Sequence, residues 1–139
     1  MGQYHITVNL DKKEFLNPHR IGDGLKLWEQ GASQGGTLNA LHALLAVSNG
    51  RGGGDYIDGH EDFVGRWGGD RIAIVGGYAE DDDLPTGDAR SIYNTPAGWT
   101  DISDLACDFL EAQWGVTFDG GGWARRTVAA GSPFYHGEE

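Results

Sequence analysis

QYHITVNL, residues 3–10, alternates: Tyr4, Ile6 and Val8 point one way, and His5, Thr7 and Asn9 the other. A period of two with β-branched residues predicts a strand. RIAIVGGYA, residues 71–79, repeats the signal, with Ile72, Ile74 and Gly76 on one side and Ala73 and Val75 on the other. So short an apolar, β-branched run predicts a central strand. Between the two lies TLNALHALLAVSN, whose spacing predicts a helix over about 37–48. Thr37 would cap it, and Leu38, Leu41, Leu44 and Leu45 would share a face on which Ala40 and Ala43 permit close approach. Asn49-Gly50 would stop it, since both tolerate the left-handed conformation.

Working outward, Asp11–Glu14 reads as a turn before the short piece Phe15-Leu16. Pro18 restricts Asn17 to extended backbone, so no helix is expected to run through that point. GLKLWEQG fits either a short strand or a single helical turn. The acidic EDDDLPTGD, residues 80–88, is an exposed turn, and SIYNTPAGW, residues 91–99, is turn-like around Pro96 and Gly98. From Thr100 the period is helical again, with Ile102, Leu105, Ala106, Phe109 and Leu110 in one stripe, Trp114 at its edge and Gly115 as the stop. Asp101 and Asp104 lie near the positive end of that helix, and Val116–Phe118 suits a strand. With no repeat or linker, residues 1–139 are expected to form a single two-layer α+β domain, with a small mostly antiparallel sheet and two main amphipathic helices.

The chain carries 21 acids against 10 bases, a formal charge of −11, with Asp outnumbering Glu fourteen to seven. Such a field repels nucleic acid and anionic membrane surfaces. It suits a high-salt interior, where screening removes most self-repulsion, so halophilic adaptation is the expectation. Arg125-Arg126, beside Trp123, is the sole adjacent arginine pair, and a nucleic-acid partner is not expected. One cysteine, Cys107, excludes an internal disulfide. No apolar run approaches the roughly 20 residues of a membrane span. No leader is visible, and Gly2 lacks the acylation pattern because Ile6 stands where Ser or Thr is required. A cytoplasmic protein is expected.

The chemistry concentrates in NGRGGGDYIDGHEDFVGRWGGDR, residues 49–71. A phosphate-binding P-loop needs G-x-x-x-x-G-K-[ST], and the dinucleotide pattern G-x-G-x-x-G must follow a strand; neither holds. Two readings remain for residues 50–55. One is a turn in which Arg51 pairs with Asp55 or another acid. The other is a nest of backbone N–H groups that, with Arg51, meets a small anion. Asp55, Asp58, His60, Glu61 and Asp62 crowd oxygen and nitrogen donors, so Asp58, His60 and Asp62 are candidate metal ligands against a solvated acidic loop. In GRWGGDR, Trp67 packs at the core edge or offers a stacking platform, and Asp70 pairs with Arg66 or Arg71. Arg51, Asp55, Arg66, Trp67, Asp70 and Arg71 are thus the candidate ligand-binding set. No cofactor is implied.

Elsewhere, His5, His19 and Asp23 would form an acid–base group if folding gathered them, and His42 is expected at the core border. Cys107, between Asp104 and Asp108, has no activating neighbour. Trp99, Trp114, Trp123, Phe134 and Tyr135 make the C-terminal third aromatic enough for self-association. The blocks MGQYHITVNLDKKEFLNPHRIGDGLKLWEQG, NGRGGGD and GRWGGDRIAIVGGYA resemble those of a family of small proteins from bacteria, archaea and their viruses, over roughly residues 1–80. The resemblance implies a self-contained domain in a prokaryotic or viral setting and carries over no catalytic residue. The expectation is a non-enzymatic binding or interaction module, with a protein partner or self-association. The alternatives are a small enzyme or sensor for a phosphorylated or nucleotide-like ligand built on residues 49–71, and a structural protein of a virus particle.

Overall fold

The alternation at the N-terminus produces strand β1 (His5–Asn9), which turns back through Asp11–Lys13 into β2 (Glu14–Leu16). Asn9 makes that turn. Its side-chain oxygen accepts the N–H groups of Asp11 and Lys12 at 2.9 and 2.8 Å, and Lys13 takes φ 58°, a side-chain imitation of a backbone turn. A computed structural model describes residues 2–94 and 98–118 and the backbone of 126–128. Among the described residues five α-helices follow or intervene: α1 (Pro18–Ile21), α2 (Leu27–Ala32), α3 (Thr37–Leu45), α4 (Ala89–Tyr93) and α5 (Ser103–Trp114). The remaining strands are β3 (Ile72–Gly76), β4 (Thr100–Asp101), β5 (Val116–Phe118) and β6 (Arg126–Val128). The architecture is α+β. A four-stranded sheet of order β3-β1-β2-β4 is antiparallel except for the β2–β4 pair, and β5 and β6 form a separate antiparallel ribbon.

The alternation has a consequence at β1, which is buried on both sides. Ile6 and Val8, with Val75 and Phe15, face a smaller cluster that includes Ala79, Ala89 and Ile92. On the opposite face Leu16 joins the main core of Ile21, Ala40, Leu41, Leu44, Phe63, Trp67, Ile102, Ala106, Phe109 and Leu110. The apolar stripe expected on α5 supplies much of that core, and Gly115 ends the helix at φ 70°. Asp101 accepts the Ser103 N–H at 2.8 Å, satisfying an amide that a helix start leaves without a partner.

Several elements differ from expectation for identifiable reasons. β3 is an edge strand, not a central one, because β1 and β2 occupy the middle of the sheet. α3 stops at Leu45, before Asn49-Gly50. Its terminal carbonyls are taken by an incoming loop, with Gly65 N–H donating to Ala43 and Trp67 N–H to Leu44, both at 2.9 Å. Gly65 sits at φ 85°, where a Cβ would lie 2.8 Å from the Ala46 carbonyl oxygen, so glycine is required by both space and conformation. Thr37 is the first helical residue rather than the cap. Buried Asp23 reaches across from the α1–α2 connection to accept its N–H at 2.7 Å and its hydroxyl at 2.9 Å. The buried face of α3 is Thr37, Ala40, Leu41, Ala43 and Leu44, leaving Leu38 and Leu45 exposed. GLKLWEQG resolves into helix α2, and residues 91–93 of the stretch expected to be turn-like belong to α4. Asn17, extended as Pro18 dictates, caps α1 by accepting the His19 N–H at 2.9 Å. No helix among the described residues is long and apolar enough to cross a membrane.

Candidate functional site

The six residues singled out in the glycine-rich stretch fall into two groups. Arg66, Trp67, Asp70 and Arg71 fold onto the β1–β2 hairpin and bond to it through their side chains, Arg66 keeping one further bond from Nη1 to the Asp62 carbonyl at 3.2 Å. Arg66 grips the Glu14 carboxylate with Nε (3.0 and 3.2 Å) and Nη2 (2.6 Å), and the indole N–H of Trp67 donates to the same carboxylate at 2.8 Å. Asp70 accepts from Asn9 at 2.9 Å and Lys12 at 2.5 Å, and Arg71 pairs with Asp11 through its amide (2.7 Å) and guanidinium (2.9 Å). The expected pairing of Asp70 with Arg66 or Arg71 is therefore replaced by hairpin partners, because the loop crosses the hairpin instead of closing on itself. Trp67 is 0% exposed and leaves no ring face open for stacking.

Electrostatics follow the geometry. The Arg66 guanidinium holds the Glu14 carboxyl below its usual range, helped by the Trp67 N–H and opposed by burial. The Arg71 amide and guanidinium do the same for Asp11, and Lys12 with Asn9 for Asp70.

Arg51 and Asp55 form the other group. The amides of Gly50, Arg51 and Gly52 converge on Oδ2 of Asp55 at 2.8, 2.9 and 3.1 Å and lower its pKa. This is the arrangement of an anion nest, and its anion is the chain's own carboxylate. Arg51 joins Asp55 through its backbone N–H; no hydrogen bond or ion pair engages its guanidinium among the described residues.

Of the candidate metal ligands, Asp58, His60 and Asp62 do not gather. Glu61, beside them, accepts the Gly59 N–H at 2.7 Å, and the His60 ring meets Phe109 edge-on at 5.9 Å. Among the described residues one group of carboxylates, Glu80, Asp82 and Asp83, lies within 4.8 Å, fully exposed on a turn. His5 and His19 both line a cavity of about 310 Å³ with Tyr4, Asn17 and Tyr93, while Asp23 is committed to α3. Burial pushes the Cys107 thiol up to about 12, and Arg20 donates to its sulfur at 3.3 Å, which describes an inert core thiol. Trp99 and Trp114 pack on the two cores; Trp123, Phe134 and Tyr135 lie outside the described residues.

Two surfaces emerge that local patterns did not signal. The first is the outer edge of β3, which pairs with no other strand among the described residues. Leu10 N–H donates to Arg71 and Gly77 N–H to Tyr4, both at 2.8 Å. With the β1–β3 register these make Ile6–Val75 and Val8–Ala73 the hydrogen-bonded pairs. The amides of Ile72 and Ile74 therefore point away from β1, toward the open edge. Ile74 is 46% exposed there and shares a shallow apolar groove with Leu27, Leu38 and Leu41; Trp28, next to Leu27 on α2, is 72% exposed.

The second is a cleft of about 440 Å³ between the end of α3, the 46–56 loop and the end of α5, lined among others by His42, Asn49, Asp55, Tyr56, Gln113 and Trp114. His42, expected at the core border, is exposed and meets the Tyr56 hydroxyl through Nδ1 at 2.5 Å. Compared with known proteins, the chain matches no family model, no curated protein and no solved structure.

Proposed function

We propose that the protein is a self-associating interaction module, and that a second copy adds its own β3 to the open edge of the first. The observation that carries this reading is the edge itself, which no strand or helix among the described residues pairs with or covers. Solitary edge strands are ordinarily protected by charge, proline, bulges or covering elements. Ile72–Gly76 has no charge and no proline, and uncharged residues continue to Ala79. Its outward amides are flanked by exposed Ile74, Leu27 and Leu38, an apolar surface of the kind that marks association sites.

The choice of a second copy follows from the strand's near-symmetry about Ile74. An antiparallel pair centred there sets Ile74 against Ile74, Ala73 against Val75 and Ile72 against Gly76. Arg71 then falls opposite Gly77, so no like charges meet across the seam. Such an arrangement closes on a two-fold axis and ends at two chains.

Light scattering coupled to size exclusion tests this. The expected mass is that of a dimer at micromolar concentration, and the dimer should strengthen as salt screens two chains of charge −11. Ile74→Lys should give monomers whose own unfolding free energy changes by no more than about 0.5 kcal/mol, as for an exposed position. A monomer at every concentration and salt, or an unperturbed dimer in the variant, contradicts the proposal.

A further inference from the structure

We propose that the cleft between α3, the 46–56 loop and α5 is a binding site for a neutral nucleobase or nucleoside. This inference is independent of the self-association.

The cleft is built rather than incidental, because Tyr56 is fixed at every part. Its N–H donates to the Asn49 side-chain oxygen at 2.8 Å and its carbonyl accepts from the Asn49 amide at 3.4 Å. Its ring meets Phe109 edge-on at 5.2 Å, and its hydroxyl is bonded to His42. Trp114, like Tyr56, packs part of its ring on the main core and contributes the rest to the cleft. A pocket with immobile aromatic walls and a few polar groups is suited to a planar ring, since every base offers a π-face for stacking.

The polar groups specify the ring's edge. Gln113 spends its oxygen on the Ile57 N–H at 2.8 Å, leaving its amide N–H groups as donors. Asp55 spends Oδ2 on the three loop amides, leaving Oδ1 as an acceptor. A donor and an acceptor beside aromatic walls match the mixed donor–acceptor edge of a nucleobase.

The same residues argue against a phosphate. Among the described residues neither lysine nor arginine lines the cleft, a carboxylate does, and the loop amides that would grip an anion are already on Asp55. A nucleoside should therefore bind better than its monophosphate, in keeping with the acidic charge of the chain.

Saturation-transfer NMR and calorimetry on the full chain, with adenosine, guanosine, cytidine and uridine and the matching monophosphates as probes, test the proposal. The expected result is binding of at least one nucleoside, weaker binding of its monophosphate, and a loss of roughly tenfold or more on Trp114→Ala, the usual effect of removing one stacking aromatic. Trp114 also packs on the core, so His42→Ala, at an exposed position, provides the second variant and should also weaken binding. No binding of any probe at millimolar concentration, tighter binding of the monophosphate, or binding indifferent to His42→Ala in a folded protein overturns the proposal.

Discussion

Replacing Glu14 with alanine should destabilise the fold by about 3–4 kcal/mol, the lower part of the range for breaking a buried ion pair, because Arg66 retains one-third of its exposure and can recover some hydration. Glu14 is 7% exposed and is the shared acceptor of Arg66 and the buried Trp67 N–H. Its removal leaves the indole N–H in the core without a partner, which alone costs about 1–3 kcal/mol. Urea titration measures the loss. The interaction also has a pH signature. The Arg66 guanidinium holds the Glu14 carboxyl below its ordinary value of 4.5. Its contribution is therefore complete above the unfolded pKa and disappears as pH falls through the folded one. Asp11, Asp55 and Asp70 are shifted the same way. Stability should fall on acidification below the usual carboxylate range, and less steeply in Glu14→Gln. A Glu14→Ala protein as stable as wild type would show that the 65–71 corner is not held by the hairpin.

The other large effect is expected at Phe109. Its ring stacks on Phe63 at 5.3 Å and meets Tyr56 and His60 edge-on at 5.2 and 5.9 Å. All three partners belong to the glycine-rich stretch, so α5 is what orders that stretch from beneath. Phe109→Ala should cost about 3–5 kcal/mol through the cavity left behind. It should also loosen the loop, and trypsin cleavage after the exposed Arg51 should accelerate under native conditions. Wild-type cleavage kinetics in this variant would mean the loop is ordered by its own hydrogen bonds instead.

Local pattern carried the elements whose residues serve one purpose. β1 and the α5 stripe follow directly from period, because apolar side chains recur there at the spacing that places them on one face. The end of α3 does not, since what stops it is the arrival of Gly65 and Trp67 from twenty residues downstream. The edge position of β3 was equally hidden: an apolar β-branched run looks the same whether a neighbouring strand or a partner covers its flank. Among the candidate site residues, the convergence of amides at residues 50–52 was legible as a nest, but not that Asp55 fills it. The arginine–aspartate pairings expected within the loop are not made, because the true partners, Asp11, Lys12 and Glu14, lie more than fifty residues away. His42 and Gln113 gave no local signal; only the meeting of α3, the loop and α5 gives them a cleft to line.

Hydrogen exchange at the β3 amides tests the central claim most directly, because it reports on the edge itself. Should two copies join along β3, the N–H groups of Ile72 and Ile74 will be protected at high protein concentration and exchange faster on dilution, and both will exchange fast in Ile74→Lys. Rapid exchange of these two amides at every concentration, beside protected Ala73 and Val75, would contradict it.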